Sequence, residues 1–170
     1  KDETDRAWEL LSDPDKITVV QVAPAVRAAW GESLDIPAEL ATPGRLVAAL
    51  KHLGFDYVFD TSFTADLTIM EEGTELLERL GVKEGSNEPG PLPLFTSCCP
   101  GWVRFAKTQY PELLPNISSA KSPQQMFGAV AKTYYAQILD VPADKIAVIS
   151  IMPCTAKKYE AGLSVMNQAG

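Results

Sequence analysis

Histidine is almost missing from this chain: His52 is the only one in 170 residues. Cysteine is scarce as well, with three copies, Cys98, Cys99 and Cys154. Cations are outnumbered, 15 Lys and Arg against 22 Asp and Glu. No apolar run approaches the roughly 20 residues that cross a bilayer, and no internal repeat or low-complexity tract is visible. Each shortage excludes something. An odd cysteine count with two vicinal members makes a poor disulfide framework, and it fits metal binding or catalysis in a reducing compartment better. A net charge of −7 disfavours nonspecific binding to nucleic acid or to anionic lipid. His52 falls at the end of a predicted helix, just before Gly54, where a capping or surface role is expected rather than catalysis. The charged start, Lys1-Asp2-Glu3-Thr4-Asp5, lacks the apolar centre of a signal peptide. A cytoplasmic location is expected, or a periplasmic one if targeting information lies outside this chain. The sequence does not open on Met, and it is expected to begin after a cleavage or inside a longer polypeptide.

What is present describes a soluble globular domain, with 46% apolar and 22% charged residues. Thr4 is expected to cap a short helix that Pro14 stops. Ile17–Val22 reads as a buried strand, and Pro24 suits the first turn of the helix after it. A Thr42 cap and Gly54 bracket a second helix. Tyr57–Asp60 reads as a strand. Asp66–Leu80 reads as an amphipathic helix with Leu67, Met70, Thr74 and Leu77 on its apolar stripe. Gly81–Pro91 is a loop. Leu92–Phe95 is a further predicted strand, followed by helices over 100–109 and about 122–139 and by the strand Ile146–Ile151. Trp102, Tyr134 and Tyr135 are expected in the core. Strands alternating with helices four times predict an α/β domain with a mainly parallel sheet and a ligand site at the carboxyl ends of its strands.

The chemistry concentrates in two stretches. Thr96-Ser97-Cys98-Cys99-Pro100-Gly101-Trp102 places two thiols side by side, and Met152-Pro153-Cys154-Thr155-Ala156-Lys157-Lys158-Tyr159-Glu160 carries the third. Adjacent cysteines cannot aim both sulfurs the same way, so one can bind metal while the other faces reacting groups. The duller reading is that these are buried apolar cysteines, which are common. Flanking prolines that shape the backbone argue for ligation. An ordinary iron–sulfur cluster takes four thiolates, and this chain offers three at most. Glu72 and Glu75 share one helix face, and Arg79 lies one turn beyond Glu75. On composition alone they read as a solvated acidic face.

Together these motifs resemble the catalytic domain of the iron-only (FeFe) hydrogenases, in the N-terminal half of the H-cluster domain of the large subunit. Val22-Ala23-Pro24-Ala25-Val26-Arg27, the stretch Ala65–Glu72 and Ser119-Ala120-Lys121-Ser122-Pro123-Gln124-Gln125 fit the same family. The likeness runs through nearly the whole chain from about Thr18. It implies reversible conversion of H2 to protons and electrons at an H-cluster: a 4Fe-4S cubane joined to a two-iron unit that carries CO, cyanide and a bridging dithiolate with an amine. Cys99 and Cys154 are then cubane ligands. Cys98 passes protons to and from the amine, and Lys157 donates to an iron-bound cyanide. Ala23, Pro24, Ser122, Gln124 and Met152 line the two-iron pocket. Ala25 stands where the family often has Ser, which removes one hydrogen bond. The implied proton relay runs Arg79, Glu75, Ser118, Glu72, Cys98. The implied partners are H2, protons, a ferredoxin-like electron carrier and the remainder of the catalytic domain.

The family's third cysteine signature is absent from these 170 residues, so the resemblance requires further cluster ligands from outside the chain. Three expectations compete: one part of a longer or cleaved enzyme, a non-catalytic iron–sulfur binding module, or a relative of the iron–sulfur assembly proteins. The Cys98-Cys99 pair and the Glu72–Glu75 relay favour the first.

Overall fold

The computed structural model describes residues 3–82 and 89–169. Of the loop expected from Gly81 to Pro91, positions 83–88 lie outside the described residues, as do positions 1, 2 and 170. Helix α1 (Thr4–Ser12) leads into strand β1 (Ile17–Val22), helices α2 (Pro24–Ala29) and α3 (Pro43–His52), and strand β2 (Tyr57–Asp60). The long helix α4 (Ser62–Arg79), α5 (Pro100–Gln109) and α6 (Pro123–Val130) follow. A π-helical turn over Ala131–Tyr135 then runs into α7 (Ala136–Leu139), strand β3 (Ile146–Ile151) and α8 (Ala156–Ala161).

The sheet has three strands in the order β2-β1-β3, all parallel. Parallel strands need helical crossovers, so both faces of the sheet are covered and the central strand is buried from Thr18 to Val22. Val19 and Val20, neighbours in β1, are both fully buried, but pleating sends them to opposite faces. Val19 joins Phe127, Ala131, Ala136 and Ile146 under the α6–α7 side. Val20 joins Val22, Leu46, Leu50 and Phe55 under α3. Edge-on rings knit the first cluster, with Tyr57 5.2 Å and Phe59 5.3 Å from Tyr135, and Phe59 lies 5.5 Å from Phe127. Phe127→Ala should therefore cost about 3–5 kcal/mol through lost burial and a cavity that rigid neighbours cannot fill. Chemical denaturation would measure it.

The α/β reading holds, and β1, β2, β3, α3 and α5 begin and end where the sequence pattern places them. Thr42 caps α3 by accepting from the Arg45 N–H at 3.3 Å, and Gly54, at φ 109°, turns the chain out of that helix in a region open chiefly to glycine. Four expectations are corrected. Leu92–Phe95 is not a strand: Phe95 makes only an isolated parallel bridge with Ile117, because Pro91 and Pro93 have no N–H to donate to a ladder. Thr4 lies inside α1, whose capping position is Glu3. Trp102 and Tyr134 are exposed, at 37% and 64%, and of the three aromatic residues expected in the core only Tyr135 packs there.

The fourth correction concerns α4. It starts at Ser62 rather than Asp66, and the stripe of Leu67, Met70, Thr74 and Leu77 is not its buried side. Met70 is 69% exposed and Leu77 48%. The inward face carries Thr64 and Thr68, both buried, followed by the half-buried Glu72, Glu75 and Arg79. Hydroxyl bonds permit this reversal. Thr64 Oγ1 donates to the Pro123 carbonyl at 2.8 Å, and Thr68 Oγ1 reaches the Met126 sulfur at 3.2 Å.

Candidate functional site

Because all three strands run the same way, their carboxyl ends meet along one edge, where α2, α4 and the β3–α8 turn begin. A buried polar network ties this edge together. Gln21, 1% exposed in the middle of β1, donates through Nε2 to the Gln124 carbonyl at 3.2 Å and to Ser150 Oγ at 2.9 Å, and its Oε1 accepts from Thr61 at 3.1 Å. One carboxamide thus joins all three strand ends to the start of α6. Ala23 is buried and Pro24 exposed at the β1–α2 turn, and the half-buried Met152 follows β3. The Oε1 atom of Gln124 is buried with no hydrogen-bond partner in the described protein. Buried polar atoms are nearly always paired, so this oxygen is open to a partner that the described residues do not supply.

The two cysteine stretches come together around Lys157. Its ammonium donates to the Cys98 carbonyl at 2.5 Å, and its backbone N–H donates to the Cys154 carbonyl at 3.2 Å. Lys157 also lies 3.4 Å from the buried Glu160 carboxylate, which accepts from Ser122 Oγ at 2.8 Å. All three cysteines are free thiols and exposed. Cys99 caps α5, its sulfur accepting from the Trp102 N–H at 3.4 Å, and the Cys99 N–H is held by Ser97 Oγ at 3.0 Å. A cavity of about 640 Å³ opens here, lined by Cys98, Cys99, Ser118, Ser122 and Glu160 among others.

The outer half of the relay is assembled. Arg79 donates to Glu75 Oε1 at 2.5 Å, and Ser118 Oγ and the Ser119 N–H donate to Glu75 Oε2 at 2.6 and 3.1 Å. Arg79 is anchored in turn on the Pro91, Pro115 and Ile117 carbonyls. Burial pushes the Glu75 carboxyl up, but the bonds from Ser118, Arg79 and Ser119 outweigh it and hold the group below its ordinary value of 4.5. Glu72 moves the other way: burial, then the charge of Glu75, raise it above 4.5. Among the described residues Glu72 makes no hydrogen bond to Ser118 or Cys98, so the inner half of the relay is not joined by direct contacts. A second cavity, of about 500 Å³ and lined by Glu71, Glu75 and Glu78 among others, connects Glu75 to solvent between α4 and α6.

The residues present suit an iron–sulfur group without completing its ligand set. Soft, exposed thiols stand in turns linked by one lysine, and a buried amide is short of a partner. Among the described residues, however, no group of three or more His, Cys, Asp or Glu could hold a metal ion. Cys99 and Cys154 would supply two of the four thiolates of a cubane. Sequence reasoning gave no role to Glu160 or Gln21. A Glu three residues after Lys157, on the same helix face, was the available signal for the first. A Gln inside an otherwise apolar strand was the signal for the second.

A family model described as "Iron only hydrogenase large subunit, C-terminal domain" matches residues 16–169. The chain is 57% identical to the NADP-reducing hydrogenase subunit HndD of Solidesulfovibrio fructosivorans, over 90% of this chain and 27% of that protein. It is 47% identical to iron hydrogenase 1 of Clostridium pasteurianum, over 100% of this chain and 29% of that protein. Among solved structures, a variant of the apo FeFe-hydrogenase HydA1 from Chlamydomonas reinhardtii superposes with a TM-score of 0.83 at 46% identity, over 95% of this chain and 40% of that one. The chain thus spans under a third of the length of these two curated relatives. Among the described residues no helix is long and apolar enough to cross a membrane.

Proposed function

The chain belongs to the family of iron-only hydrogenase large subunits, and from that premise we propose that it forms the N-terminal half of an H-cluster domain that interconverts H2 with two protons and two electrons. The observation that carries this reading is Lys157, whose side chain and backbone tie the Cys98 and Cys154 turns to each other. When bound, the H-cluster would supply the iron centre for hydrogen and a cubane that exchanges electrons with a ferredoxin-like carrier. Cys99 and Cys154 would hold the cubane, and the other thiolates would come from the remainder of the catalytic domain, outside these 170 residues. Ala23, Pro24, Ser122, Gln124 and Met152 would line the two-iron pocket, and Lys157 would offer its compact positive charge there. Cys98 carries the proton between the site and Glu72. Ser118 and Glu75 continue the path to the solvent-facing cavity, with Arg79 holding Glu75 in place.

The test is an anaerobic preparation of the native protein, assayed for iron and for hydrogen production with a reduced viologen donor. Iron, activity and a polypeptide partner or parent longer than 170 residues in a denaturing mass spectrum are expected together. Cys99→Ala and Cys154→Ala should each lose most of the cubane iron while the apoprotein stays folded. An intact native preparation that takes up iron but produces no hydrogen would leave a non-catalytic iron–sulfur module in place of the enzyme.

A further inference from the structure

Glu160 is 6% exposed, a buried acidic residue on the β3 side of the site. Burying an unpaired carboxylate is costly, and paired burial seldom yields net stability. Such a group therefore calls for an explanation in geometry. Its two partners are both residues to which a cofactor contact has been given above. Ser122 donates to Oε2 at 2.8 Å, and Lys157 Nζ stands 3.4 Å from the same atom. We propose that Glu160 is the positioning residue of the site: its buried carboxylate holds the Lys157 ammonium and the Ser122 hydroxyl in register with the Cys98 turn.

The physical case rests on the lysine stem. Four rotatable carbons leave an ammonium with many placements, and only fixed acceptors can select one. Glu160, one helical turn along α8, supplies the charged acceptor, and the Cys98 carbonyl at 2.5 Å supplies the second. An ammonium has three N–H donors. These two contacts account for two of them and leave the third for a further acceptor. Ser122 is fixed at the same time, because its hydroxyl accepts from the Gln125 N–H at 3.4 Å as the cap of α6. One carboxylate thus connects α8, the start of α6 and the Cys98 turn, three segments that are far apart in sequence.

The inference rests on the hydrogenase reading, and the experiment separates the two. It uses the native holoprotein and the infrared bands of iron-bound cyanide and CO, which report the donors around those ligands rather than turnover. Glu160→Gln keeps the shape and an acceptor for Ser122 but removes the charge. Its bands should move in the same direction as those of Lys157→Met, the double variant should match Lys157→Met alone, and turnover should fall about 10- to 100-fold. Glu160→Asp, which retains the charge on a shorter stem, should recover part of both losses. If Glu160→Gln does not fold, Ser122→Ala removes the other tie and should also shift the bands. A folded Glu160→Gln with bands at the wild-type positions, shifts that simply add in the double variant, or (where Glu160→Gln does not fold) unshifted bands in Ser122→Ala overturn the positioning role alone. A wild-type holoprotein without such bands overturns the hydrogenase reading beneath it.

Discussion

Replacing Cys98 by Ala should cut hydrogen turnover by about 10²- to 10⁴-fold while leaving the bound iron in place. The two neighbouring thiols hold different stations. Cys99 is engaged at the first turn of α5, with its sulfur taking the Trp102 N–H. That is the positive end of a ten-residue helix, which suits a metal-bound thiolate. Among the described residues the Cys98 sulfur makes no such bond. Its backbone carbonyl is clamped by Lys157, its thiol is exposed, and it lines the 640 Å³ cavity. A thiol held by its main chain and left unbonded at sulfur can take and release a proton without disturbing a ligand. Proton transfer by a positioned side chain is worth about 10²–10⁴ in rate, so turnover in Cys98→Ala should fall by that factor with iron content and cubane absorbance unchanged. Full activity in the variant would remove Cys98 from the path. Loss of iron would make it a ligand instead.

The sequence made the framework legible where one physical pattern dominates locally. A buried parallel strand reads as a mostly apolar, β-branched run, so Ile17–Val22 and Ile146–Ile151 could be placed to the residue. A side-chain cap did the same for the start of α3 at Thr42. The cysteine motifs were legible too, although the Cys98-Cys99 turn follows an isolated bridge rather than a strand of the sheet. What escaped depends on distant partners. The inward face of α4 is selected by Pro123, Met126 and Ser118, which are 43 to 59 residues away from the side chains they meet. Local periodicity instead points to the stripe that includes Met70 and Leu77, both of which face outward. The Leu92–Phe95 run is apolar enough for a strand, yet its prolines decide the matter by withholding donors. Glu160 lay inside a motif already in view, but its pairing with Ser122 across 38 residues belongs to the folded chain alone.

Glu72 and Glu75 should separate function from stability more sharply than any other pair in the molecule. Glu75 sits below its ordinary value, so its contribution to folding is present above pH 4.5 and is lost as pH falls through its lowered value. Glu72 sits above 4.5, so the folded state favours its protonated form; that contribution is present below pH 4.5 and disappears as pH rises through the raised value. Glu75→Gln should accordingly weaken the fold at neutral pH, with the deficit shrinking in acid. Glu72→Gln removes a carboxylate that burial and its neighbour both oppose, and it should leave the fold at neutral pH as stable as before or more so. Denaturation midpoints across that pH range would measure both signs. Turnover should nevertheless fall in both variants, by about 10²-fold or more for each, because a carboxamide cannot pass on a proton. A Glu72→Gln protein that is at least as stable as wild type and yet inactive admits no structural excuse, since nothing in the fold has been lost except the proton site. Unchanged turnover in that variant would take Glu72 out of the relay and leave its half-buried carboxyl without a part in catalysis.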